Sequence, residues 1–243
     1  MSDDIARAIP ENVAVPITGL LLKTGGDVPF AFVREMEVIA SKWQERCLVN
    51  AHLFNGTVYL QARLRLEQGA LTGVAVKLDY ASFMHWRGNA PFQTETGQYH
   101  VFPLAAIEST DGHLIAVRSA ASTVNSGLIY FAAGMFDEHD VVADRLDPVG
   151  NMQREVGEET GLDLAVMKSD GGLVAFRTGR FVAVFQKYRS CLSTNALVAK
   201  IRQFIATQAT PEIDDVVVIA GLSDITEKMP GYMAAYCRWH LAV

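Results

Sequence analysis

The stretch from Asp147 to Gly161 constrains this chain more than any other. Asp147 can accept from the free amides of a first helical turn, Pro148 suits the turn itself, and Gly161 suits a left-handed stop. The stretch therefore predicts one helix starting near Pro148. Val149, Met152 and Val156 fall on a face that can anchor it to a core, while Glu155, Glu158 and Glu159, at i, i+3 and i+4, share another.

The flanks supply a sheet for that helix. Residues 104–108 and 114–120 flank Asp111-Gly112, a hairpin signal, and a third apolar run at 128–133 ends at Gly134. An Asp-rich loop, 137–147, leads into the helix. Beyond it, 172–188 reads as two strands, 194–208 as a helix and 216–219 as a buried strand. Residues 223–236 read as a last helix, interrupted or restarted at Pro230-Gly231. Upstream, 31–49 lacks breakers and predicts one amphipathic helix, followed by β-like runs at 57–65 and 71–80. Asn55-Gly56 suits a tight turn with positive φ before the first of these. A boundary near residue 95 divides an N-terminal α+β region, 1–95, from an α/β sandwich with a mixed sheet, 96–243.

Three carboxylates on one helical turn repel each other by roughly 3 kcal/mol per pair at an effective dielectric near 20. A divalent cation relieves this best. Mg2+ takes hard oxygen ligands, keeps several waters and bridges to phosphates, so the acidic face predicts Mg2+, with Mn2+ as substitute, held against a phosphate. The net charge of −6 excludes broad nucleic-acid or anionic-membrane binding as the expected role. Cys47, Cys191 and Cys237 are scattered and read as reduced thiols. With a polar start and no long apolar run, a cytoplasmic protein is expected.

The string Arg154-Glu155-Val156-Gly157-Glu158-Glu159-Thr160-Gly161-Leu162 resembles the core of the Nudix box at every specified position. The resemblance implies an α/β/α sandwich and hydrolysis of a nucleoside diphosphate linked to another group, without nucleic-acid or membrane partners. It implies Glu158 and Glu159 as metal ligands, Glu155 as a further ligand or the general base, and Arg154 as the residue that holds the glutamates by a salt bridge. Gly134 would offer its carbonyl to the metal. The chain also departs from the pattern. The family glycine stands closer to the arginine than Gly134 does, and Leu146 occupies the place of a box glutamate. Asp137, Glu138, Asp140 and Asp144 are the replacements on offer. A further acid from outside the box is common in the family, and Glu212 is the best placed, with Asp214 and Asp215 as rivals.

A second resemblance covers Glu45-Arg46-Cys47-Leu48-Val49-Asn50-Ala51-His52-Leu53-Phe54-Asn55-Gly56, which looks like a segment of the Nudix branch that hydrolyses UDP-glucose and UDP-galactose. It implies UMP and a sugar 1-phosphate as products, with Ala51 where that branch has proline. Phe54, Asn55 and Arg118 are the substrate-binding candidates. The competing view of Phe54-Asn55-Gly56 is a core contact and a turn. Trp86 and Arg87 stand between a cleft wall and a buried ring beside a solvated cation. ADP-ribose, dinucleotides and coenzyme A are the alternative substrates, a non-catalytic nucleotide sensor is the alternative class, and a homodimer is compatible with either.

Overall fold

Two mixed sheets carry the fold, and the chain crosses between them. The computed structural model describes residues 4–51 and 53–242. The N-terminal elements are α1 (Asp4–Ala8), β1 (Val15–Ile17), β2 (Gly19–Gly26), α2 (Phe30–Arg34), α3 (Met36–Val49), β3 (Thr57–Glu67), β4 (Ala70–Asp79), α4 (Tyr80–Arg87) and α5 (Ala90–Thr96). Then come β5 (His100–Glu108), β6 (Leu114–Ser119), β7 (Ile129–Tyr130), β8 (Val141–Val142) and β9 (Arg145–Leu146). The chain ends with α6 (Pro148–Thr160), β10 (Lys168–Thr178), β11 (Phe181–Arg189), α7 (Thr194–Ile205), β12 (Ile213–Ile219) and α8 (Gly231–Leu241).

The larger sheet has the order β1-β10-β11-β5-β6-β12, with β7 also on β6. It is mixed because β11 and β5 run parallel while their outer neighbours are antiparallel. Side chains alternate along β5, so Phe102 and Leu104 face one side and Ala105 and Ile107 the other. The first set packs with Phe185, Met233, Tyr236 and Cys237, burying α8. The second packs with Met152, Val156, Leu197 and Ile201, burying α6 and α7. Helix, sheet, helix: the expected α/β sandwich with a mixed sheet is what the chain forms.

The smaller sheet has the order β3-β4-β2-β9-β8, with β2 parallel to β4. Its contributors come from both sides of residue 95. β9 pairs with β2, while β1 joins the larger sheet through β10. One buried cluster accordingly mixes Ile5, Ile9, Leu20, Leu22 and Leu71 with Tyr99, Val101, Phe136, Leu146, Val182 and Val184.

Local expectations were met unevenly. In α6, Asp147 accepts from the Val149 amide at 3.0 Å, Pro148 opens the helix and Gly161 closes it at φ 67°. The hairpin around Asp111-Gly112 forms, with Gly112 at φ 80°. The single helix expected over 31–49 breaks at Glu35, whose carboxylate is tied to His85 Nε2 at 2.7 Å and Arg34 Nη2 at 3.1 Å. That anchorage redirects the chain between a turn burying Phe32 and a helix burying Ile39. Neither Asn55 nor Gly56 has positive φ. Asn55 acts through its side chain instead, donating to Asp79 Oδ2 and accepting from the Ala81 amide at the start of α4. The strand expected over 128–133 is only Ile129–Tyr130, and the last helix begins after Pro230. No described helix is long and apolar enough to cross a membrane.

Candidate metal centre

α6 presents its acids unequally. Successive residues advance by about 100° around a helix, so Glu155 and Glu159 lie nearer the buried Met152 and Val156 than Glu158 does. Glu159 is buried, Glu155 nearly so, and the Glu158 side chain is 61% exposed. Val149, expected to anchor the helix, is 45% exposed at the first turn, leaving Met152 and Val156 as the anchors.

Arg154 is the hub of the acids. It meets Glu155 Oε1 at 2.8 Å and Glu158 Oε2 at 3.2 Å, and on its other edge Asp140 Oδ2 at 2.9 Å and Asp137 Oδ2 at 3.6 Å. Asp140 is itself buried and also accepts from Asn151 Nδ2 and the Asp137 amide, each at 2.9 Å. Of the four loop acids, Asp140 therefore takes the principal contact with Arg154. Glu138 pairs with Lys77 at 3.3 Å and Asp144 with Lys23 at 3.2 Å, both away from α6.

Electrostatics single out the buried pair. Burial pushes the Glu155 carboxyl up to about 7, with Arg154 opposing and Glu158 adding to the rise. Burial, reinforced by Glu155 and Glu212, drives Glu159 well above the ordinary carboxylate range. Its Oε2 has no hydrogen-bond partner, although the Ala133 backbone donates to the carboxylate. Gly134 lies against Glu155 so closely that a Cβ there would overlap the carboxylate. Only glycine fits.

Among the described residues no three His, Cys, Asp or Glu side chains converge as a complete ligand nest. The donor set still fits a hard divalent cation that keeps much of its water. Burial raises the proton affinity of both carboxylates and Glu155 raises that of Glu159 further, one has an orphaned oxygen, and the backbone of Ala133-Gly134 lies beside them. A cation would remove the cost of ionising both.

The remaining candidates separate cleanly. Glu212 is exposed, its carbonyl accepts from the Ala120 amide at 2.9 Å, and its charge reaches Glu159 and Tyr130. Its rivals are engaged elsewhere, Asp214 with Arg118 at 2.6 Å and Asp215 with Arg202 at 2.9 Å. That engagement also occupies Arg118. Asn55 is committed at both ends of its amide, and Phe54 is 81% exposed. Sequence reasoning did not single out Tyr130 or Asn151. Glu159 bears on Tyr130 because β7 pairs with β6, and the apolar run 128–133 predicts a strand without its partner.

No family profile and no curated protein matches this chain. Solved structures do. The MutT protein from Methanosarcina mazei Go1 is 19% identical over 58% of this chain and 92% of its own, with a TM-score of 0.40. A NUDIX hydrolase from Nitrosomonas europaea is 14% identical over 58% and 87%, with a TM-score of 0.39. A bifunctional NMN adenylyltransferase/ADP ribose pyrophosphatase from Francisella tularensis, complexed with AMP and Mn ion, is 17% identical over 59% of this chain and 41% of its own, with a TM-score of 0.38. Likenesses this distant decide nothing about chemistry.

Proposed function

We propose that this chain is a Nudix-type hydrolase that uses Mg2+, or Mn2+ in its place, to cleave the diphosphate of a nucleotide sugar such as UDP-glucose or UDP-galactose. The observation that carries the reading is the buried pair Glu155 and Glu159, backed by Gly134 and held by an Arg154 that Asp140 pins from behind. The nine-residue string supports the reaction class, and the segment 45–56 supports the UDP-sugar.

Glu159 and Glu155 would hold the cation, with Glu158 close enough to Arg154 to complete the set. When bound, the metal neutralises diphosphate charge and makes a water acidic enough to attack. The protein's own tasks are distinct. Arg154 keeps the acids in register, Asp140 and Asn151 keep Arg154 from swinging away, and Glu212, which has no ion-pair partner among the described residues, accepts the proton from the attacking water. The test is Mg2+-dependent release of UMP from UDP-glucose, run beside ADP-ribose, a dinucleotide and coenzyme A. Turnover of the UDP-sugars is expected. Turnover of only another member of the panel would remove the sugar and keep the class, and turnover of none would remove both.

A further inference from the structure

Arg87 ends α4 and is half-buried. Its Nη2 donates to Asn125 Oδ1 at 2.8 Å, and among the described residues it has no carboxylate partner. A partly desolvated arginine normally finds an acid. Acids are not scarce in a chain with 27 Asp and Glu against 21 Lys and Arg. Two of its donor nitrogens are left for something else.

Its surroundings say what. Tyr80 lies two turns earlier on the same face of α4, held by edge contact with Trp43 at 5.8 Å and stacking on Phe83 at 5.9 Å. Tyr232 sits against Phe102 at 5.2 Å. Asn125, the partner of Arg87, lies in the turn that returns the chain from β6 to β7 and so to Tyr130, and the charge of Arg87 bears on Tyr80 and Tyr232 while that of Glu212 bears on Tyr80, Tyr130 and Glu159. The turn carrying Asn125 is fastened to the end of α3, where Asn50 Nδ2 donates to the Ser122 carbonyl at 3.0 Å.

We propose that Arg87, flanked by Tyr80, Tyr130 and Tyr232, binds the phosphate-bearing nucleotide half of the substrate, so that the N-terminal region supplies one wall of the site. The assignment rests on the hydrolase reading for the word substrate, and on the cluster alone for the ligand class. A guanidinium with two uncommitted donor nitrogens can meet phosphate oxygens, and tyrosine faces suit a nucleobase.

The test is calorimetric titration in EDTA with α,β-methylene-UDP and α,β-methylene-ADP, whose bridging carbon resists hydrolysis, and with uridine lacking phosphate. Arg87→Met should weaken the phosphate-bearing probes by at least about tenfold and leave uridine nearly unchanged. Arg87→Lys should recover part of the loss. Melting temperatures confirm that each variant is folded. Equal binding by Arg87→Met, an equal loss for uridine, or no binding of either diphosphate by the unaltered protein would overturn the assignment. Turnover assays separate the two proposals: diphosphate binding that depends on Arg87, without Mg2+-dependent hydrolysis, would leave this site standing and remove the enzyme.

Discussion

At Glu159 the same burial that raises the proton affinity also orphans an oxygen, which marks the residue for a cation. Glu159→Gln keeps the shape of the protonated acid and removes the ligand charge. Turnover should fall by about 100-fold or more, beyond the roughly 10–100-fold range of outer contacts, while the metal-free melting temperature holds. Asp140→Asn, an outer contact through Arg154, should fall within that range and weaken Mg2+ binding in parallel. His100 offers a test of pH. Its ring sits among Phe83, Phe102 and Phe181 with neither nitrogen partnered, and burial lowers it from 6.5 to about 3. Below pH 6.5 the unfolded chain takes a proton that the folded chain refuses, so stability present above 6.5 is lost as pH falls towards 3. The loss should be roughly 2 kcal/mol between pH 6.5 and 5, read from denaturant midpoints, and His100→Phe should remove it.

Among the elements, α6 was the most legible because everything that defines it is local. Its cap, its proline, its stop and its acids fall within fifteen residues, and each appears where the sequence put it. Gly161 carries a second constraint, since a Cβ there would overlap the Phe204 ring of α7 as well as strain a left-handed residue. Gly161→Ala should therefore cost about 1–2 kcal/mol in chemical denaturation, more than the cap alone explains. The choice among the four loop acids was not legible. Asp137, Glu138, Asp140 and Asp144 differ only in where a loop turns, and that turn is fixed by β9 pairing with a strand far away in sequence. The choice between cleft wall and solvated cation for Arg87 was open for the same reason, its partner Asn125 being brought in by packing.

For the whole molecule, the cluster joining Ile5, Leu22 and Leu71 to Val101, Phe136 and Val184 predicts one cooperative thermal transition by circular dichroism and intrinsic fluorescence. Two separated transitions would show that the halves fold independently. The parallel pairing of β2 with β4 explains why β2 went unseen beside the two expected strands, since a long crossover leaves no turn signal between them. Asp140 leads into the hairpin β8–β9, whose outer bonds run to β2, not to the sheet that carries α6. The grip on Arg154 is thus a rein held from the other half of the protein. Sequence drift around Lys23 or Asp144 would shift the set of Arg154 without touching the acids of α6, and under the proposed hydrolase a protein engineer could look there for a dial in place of a switch.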